Sequence, residues 1–77
     1  MAKPRVNLIT EIAEGVMRDR IVDPSEYLTV PGNTIEGYVD GLIANEIDLY
    51  GMTEEEAGLL KHLLIEASKK AIGQAGG

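Results

Sequence analysis

Residues 35–72, IEGYVDGLIANEIDLYGMTEEEAGLLKHLLIEASKKAI, decide the fold because they contain two helical patterns in succession. Apolar residues recur at spacings of three and four on both sides of a two-residue link at 51–52, as they do in amphipathic helices. Asn33 or Thr34 is a candidate N-cap for the earlier helix, and residues 53–56 (TEEE) form a capping box for the later one. Because the link is so short, the pattern predicts an antiparallel hairpin, with a sharp corner as the alternative.

Two further helices are predicted before this hairpin. Apolar residues from about Leu8 to Ile21 recur on one helical face, and Asn7 is a candidate N-cap. A short helix of one or two turns is predicted after Asp23, with Pro24 at its first position and Pro31 ending it. No stretch has the alternation of a strand. The sequence therefore predicts an all-α fold, a small helical bundle of three main helices plus one short helix.

The two ends of the chain are expected to lie outside this bundle. Gly73 is predicted to end the last helix after about Ile72, because glycine commonly follows a helix C-terminus. We expect a single helical domain over residues 1–77, with residues 1–6 and 74–77 flexible. A core of this size contributes only about 3–5 kcal/mol unless something reinforces it. The chain has no Cys, so disulfides and thiolate zinc sites are excluded and oligomerisation is the reinforcement that remains.

The last helix is apolar over more than half of its circumference. A helix that is apolar nearly all round is buried nearly all round. A second copy of the chain is the simplest cover, so we predict a homo-oligomer, most simply a dimer. The alternative is that the first helix covers the far side within one chain. The predicted self-association residues are Leu59, Leu63, Ile65 and Ile72.

Charge is distributed unevenly along the chain. The 77 residues include 13 acids against 7 Lys and Arg, which gives a formal net charge of −6. Nine of the acids lie between Ile21 and Leu60, a stretch that holds no Lys or Arg. Such a surface repels phosphate and attracts basic proteins, so we expect a basic protein partner and no direct nucleic-acid contact. No apolar run reaches the roughly 18 residues of a bilayer span, and we expect a cytoplasmic protein without a membrane partner.

Residues for catalysis are scarce. His62 is the only histidine, and neither Ser25 nor Ser68 has a histidine near it in sequence. Asp40, Asn45 and Asp48, on the earlier helix of the predicted hairpin, do not have the spacing of a calcium loop. The chain also lacks a Gly-rich phosphate loop. We therefore predict that the chain is not an enzyme, that it has no catalytic residue and no metal ligand, and that it needs no cofactor.

Our leading hypothesis is a non-catalytic protein-binding module, acidic and dimeric, that occludes or redirects a basic partner. Short chains that inhibit a host factor in this way are typical of phages and mobile elements. Carboxylates would steer the encounter, and tyrosine or apolar side chains would supply affinity. The predicted contact residues are Tyr27, Glu36, Asp40, Glu46, Asp48, Glu54, Glu55 and Glu56.

Two other functions are compatible with the sequence. The run 35–38 (IEGY), followed by a helical hairpin, resembles the hairpin of phage proteins that sequester cyclic oligonucleotide signals. The resemblance covers about half the chain and departs from that family at Val39, where a basic residue would be expected. It implies a nucleotide-binding site between helices or subunits, for which we consider Asn33, Arg18 and Arg20. The other alternative is a minor structural component of a larger assembly such as a virion.

Overall fold

The computed structural model describes residues 3–19 and 22–76, and every regular element in these residues is helical. Helix α1 spans Val6–Asp19, α2 spans Ile35–Tyr50 and α3 spans Glu54–Gly76. A single 3₁₀ turn, Tyr27–Thr29, lies between α1 and α2. The predicted all-α bundle of three main helices and one short helix is confirmed, and α2 and α3 form the predicted hairpin.

The ends of the hairpin helices follow local sequence signals. The Thr34 hydroxyl accepts a hydrogen bond from the Gly37 N–H at 3.1 Å, so Thr34 is the N-cap of α2. Gly51 has φ +57° and follows the C-terminus of α2 in the left-handed conformation, which glycine adopts without steric cost. The Thr53 hydroxyl and the Glu56 carboxylate accept hydrogen bonds from each other's backbone N–H at 3.2 and 3.1 Å, which completes the capping box of α3.

Two predicted helix boundaries were wrong. Helix α1 starts at Val6 and not after an Asn7 cap, because the Ile9 N–H already donates to the Arg5 carbonyl at 2.9 Å. Helix α3 continues through Gly73, which lacks the positive φ of a glycine that ends a helix, so residues 74–76 are helical. The predicted end of the first helix at Ile21 lies outside the described residues, as do residues 1, 2 and 77 of the predicted flexible ends.

Residues 22–34, which precede α2, are held by hydrogen bonds of their own side chains and of Tyr38. The Asp23 carboxylate accepts hydrogen bonds from the backbone N–H and the hydroxyl of Ser25 at 3.0 and 2.5 Å, as a helix cap would. The Leu28 N–H donates a hydrogen bond to the carbonyl oxygen of the buried Pro24 at 2.9 Å, and Leu28 lies within the 3₁₀ turn. The predicted short helix therefore exists, but its regular part is one turn of 3₁₀ helix.

Helix α3 is the centre of the core. It packs against both α1 and α2, whereas α1 and α2 contact each other much less. Ser68, buried on α3, donates its hydroxyl proton to the Leu64 carbonyl at 2.8 Å, so its polar group is satisfied. The fully buried apolar side chains come from all three helices: Ile9, Val39, Ile43, Leu60 and Leu64.

Candidate functional site

A groove of about 480 Å³ lies between α1 and the C-terminal part of α2. Its apolar surface comes from Leu8, Ile12 and Val16 on α1 and from Leu49 and Tyr50 on α2. The groove exists because both helices pack on α3 and leave a gap where they face each other. Two of its side chains are well exposed, Leu49 at 71% and Tyr50 at 42%, although both are large and apolar or aromatic.

The rim of the groove is acidic. Glu11 and Asp19 border it on α1, and Glu46 borders it on α2. Arg18 is the only basic residue in the described lining, and its Nε lies 3.6 Å from the Asp19 carboxylate. Three carboxylates against one guanidinium give the groove a net negative charge, which favours cationic side chains and disfavours anions.

Glu46, on the rim of the groove, has an unsatisfied hydrogen-bond acceptor. Its side chain is partly buried, and its Oε2 is shielded from solvent without a hydrogen-bond partner among the described residues. A buried carboxylate oxygen without a donor raises the free energy of the folded state. A cationic donor that entered the groove would remove that cost once the partly buried Glu46 side chain rotated to turn Oε2 towards it.

Most of the predicted contact acids are exposed. Glu36 lies in the first turn of α2, and Asp48, Glu54 and Glu55 lie on either side of the hairpin turn, all four accessible to solvent. Asp40 is exposed too, but its carboxylate pairs with Lys61 of α3 at 3.0 Å. In the described part of the chain, only three of the thirteen acids lie in ion pairs, so the negative charge is largely uncompensated.

Glu56 does not belong to this exposed set. It is 3% exposed, and its carboxylate accepts hydrogen bonds from the Arg5 Nε at 2.7 Å, Nη2 at 3.0 Å and backbone N–H at 2.9 Å. Hydrogen bonds from the Arg5 side chain, then from the Arg5 and Thr53 N–H groups, lower the pKa of Glu56 from 4.5 to about 2. The Arg5 Nη2 also donates to the Tyr50 carbonyl at 3.1 Å, which joins the start of α1 to the hairpin turn. Glu56 therefore has a structural role, and these hydrogen bonds hold Arg5 against the start of α3, while the predicted flexibility of residues 1–6 stays a prediction.

Tyr27, the predicted aromatic contact residue, packs against Tyr38 within the chain and is partly exposed. Its ring lies 5.5 Å from that of Tyr38, centroid to centroid, and 37% of the residue is exposed. A Cβ built on Gly37 would lie 3.2 Å from the Tyr27 hydroxyl, so a side chain there would press on this tyrosine. Tyr27 does not line the groove.

The predicted self-association residues are partly covered within a single copy. Leu59, Leu63 and Ile65 are partly buried and pack against the core, and Ile72 has intermediate exposure. Since α1 and α2 both lie against α3, the chain itself supplies part of the cover that we expected from a second copy. Self-association through these residues stays a prediction.

The residues considered for a nucleotide site are not brought together as one pocket. Arg18 borders the groove, whereas Asn33 does not line it and donates its side-chain N–H to the Tyr27 carbonyl at 2.9 Å. Arg20 lies outside the described residues. Within residues 3–19 and 22–76, no cluster of three or more His, Asp or Glu side chains has an arrangement suited to a metal ion. In the same residues, no helix combines the length and apolar character needed to cross a bilayer.

Sequence reasoning missed the groove itself. Leu49 lies outside the apolar stripe that predicts the core face of α2, and Leu8 lies on the predicted core face of α1 but is only partly buried. An apolar side chain out of phase with its helix was a usable signal for Leu49. Glu11 carried no such signal, because an acid on an outer helix face is ordinary.

Comparison with known proteins adds no assignment. The chain matches none of the protein-family models, curated proteins or solved structures with which it was compared.

Proposed function

We propose that this chain is a non-catalytic protein-binding module that engages a basic partner protein and occludes or redirects it. The groove between α1 and α2 carries this proposal, because the exposed Leu49 and Tyr50, bordered by carboxylates, suit a protein with both apolar and cationic side chains. The uncompensated acids around the hairpin turn support it by extending the negative field beyond the groove.

The mechanism that we propose is steric and electrostatic. Long-range attraction between the acidic surface and a basic partner raises the rate of encounter, and burial of the apolar contacts slows dissociation. An inhibitor of the phage or mobile-element type would act in this way, by occupying a surface that its target uses for another ligand. A homodimer would present two such surfaces, and light scattering would distinguish it from a single 8.3 kDa chain.

Capture from a lysate of the source organism with the full chain as bait tests this proposal. The informative bait carries Asp48→Asn with Glu55→Gln, and its matched control carries Glu14→Gln with Glu66→Gln, which removes the same two negative charges from exposed positions outside the groove and the hairpin turn. We expect the captured partner to be basic, to be lost with the first bait and to be retained with the second. Its association rate should fall about tenfold or more between low and high salt. An acidic partner, or a rate indifferent to salt, would contradict the proposal.

A nucleotide-sequestering protein is the second candidate. A groove volume of 480 Å³ falls within the range of about 300–1,000 Å³ that is common for small-molecule sites, and Arg18 borders it. The three rim carboxylates oppose a phosphate ligand. A thermal-shift screen with mononucleotides and cyclic oligonucleotides separates the two functions, since stabilisation by any of them would favour the second.

A further inference from the structure

We propose that the groove between α1 and α2 receives a basic amphipathic α-helix of the partner protein, with a Lys or Arg of that helix paired to Glu46. The inference rests on the proposed function and deepens it, since it names the element of the partner and the residue that recognises it. The bound helix would complete a four-helix arrangement in which α3 and the partner helix lie on opposite sides of the α1–α2 pair.

The apolar surface of the groove has the length that a helix needs. Leu8, Ile12 and Val16 follow each other at intervals of four along α1, so they form a strip about 12 Å long. Ile12 and Val16 are buried core residues that form the floor of the groove, and Leu8 is partly exposed. Leu49 faces the same gap from α2 and is 71% exposed. Helices that dock in grooves present apolar residues at i, i+3, i+4 and i+7, which span about 10 Å. Two turns of a partner helix therefore match this surface.

The charge of the groove selects the partner. The solvent-shielded Oε2 of Glu46 lacks a donor among the described residues, and both Lys and Arg supply one without bringing an acceptor. Glu11 and Asp19 on the opposite rim would attract further cations on the flanks of the same helix. An amphipathic helix with Lys or Arg beside its apolar stripe satisfies both rims at once.

A second copy of this chain suits the groove less well. Each copy carries a net charge of −6, and a two-fold contact through the groove would place Glu11, Asp19 and Glu46 against the acids of the other copy. Like charges across an interface oppose association. Charge complementarity therefore favours a basic partner over self-association at this surface.

Three synthetic peptides of about 18 residues test the inference in binding to the full chain, followed by fluorescence anisotropy at moderate salt. The first is an amphipathic Leu/Lys helix, the second replaces every Lys with Glu, and the third keeps the Leu/Lys composition but has two central prolines that prevent a helix. We expect the first peptide to bind about tenfold or more tightly than either of the others.

Paired variants of the protein locate the contact. Glu46→Gln and Leu49→Ser change the groove, and Glu66→Gln and Val30→Ser replace a carboxylate by an amide and an aliphatic side chain by serine at exposed positions outside it. We expect each groove variant to weaken the Leu/Lys peptide about fivefold or more, and each control to change its affinity by less than about twofold. Circular dichroism verifies that all four variants are folded.

The failure of this inference is distinguishable from failure of the proposed function. If both Lys-bearing peptides bind equally and Glu46→Gln has no more effect than Glu66→Gln, the acidic surface still binds basic proteins but the helix-docking groove is refuted. If the Leu/Glu peptide binds as tightly as the Leu/Lys peptide, both the inference and the preference for basic partners are overturned.

Discussion

Replacement of Glu46 by Met should stabilise the free protein by about 1–2 kcal/mol. A buried polar group without a hydrogen-bond partner costs about 1–3 kcal/mol, and only one of the two Glu46 oxygens is so buried, which places the gain in the lower part of that range. Met and Glu have similar helix propensities, so the substitution changes the intrinsic stability of helix α2 very little. In a domain of this size each kcal/mol shifts the melting temperature by about 4–8 °C.

Thermal and urea unfolding at neutral pH, followed by circular dichroism, measure this gain. The matched control is Glu66→Met, which removes the same charge from an exposed position on α3 and should change stability by less than about 0.5 kcal/mol. Both variants remove one negative charge, so the difference between their stabilities reports the burial of the Glu46 carboxylate oxygen. A Glu46→Met protein no more stable than the control would refute the argument that Oε2 is shielded without a donor.

The same substitution should weaken the Leu/Lys peptide. A residue that costs stability in the free protein but is needed for binding is expected at functional sites, where stability and activity are opposed. Glu46→Met would therefore move melting temperature and affinity in opposite directions. A variant that gained stability and kept full affinity would place the peptide elsewhere.

Three further predictions concern the fold. Leu64→Ala, at a fully buried position, should cost about 3–5 kcal/mol, close to the whole contribution of a core this small, so its cooperative urea transition should move towards zero denaturant or be lost. Leu49→Ala at an exposed position should change stability by less than about 0.5 kcal/mol; equal effects would contradict the assigned burial. Because the Arg5 hydrogen bonds lower the pKa of Glu56 to about 2, its ionised form stabilises the protein above its unfolded-state pKa of 4.5, and this stabilisation is lost as pH falls towards 2. The stability difference between wild type and Glu56→Gln should thus shrink below pH 4.5, and a constant difference across that window would be inconsistent with the ion pair. Gly51→Ala should cost about 1–2 kcal/mol, measured by thermal unfolding, because φ is +57° there, and an unchanged melting temperature would exclude that conformation.

Features of the fold that depend on neighbouring residues were predictable from the sequence. The Thr34 cap, the capping box and the left-handed Gly51 each follow from short-range hydrogen bonds and backbone sterics, and all three occur. The contact between Arg5 and Glu56 joins residues 51 positions apart, and no local pattern announces it. One signal was available, because Glu56 precedes the buried Leu60 by four residues and so shares its helical face.

The candidate site was predictable in its charge and not in its shape. The excess of acids between Ile21 and Leu60 indicates a negative surface from composition alone. Which carboxylates remain exposed depends on tertiary contacts: Glu55 is accessible whereas the adjacent Glu56 is buried. The groove arises from the separation of α1 and α2 on α3, which helix patterns do not encode.

A backbone-amide NMR titration of the full chain with the Leu/Lys peptide tests the central claim most directly, because it locates the bound helix on the protein. Our account predicts that the largest shift changes occur on both walls of the groove, at Leu8 and Ile12 of α1 and at Glu46 and Leu49 of α2. Shift changes confined to the exposed side of α3, around His62 and Glu66, with both walls of the groove unchanged, would contradict it.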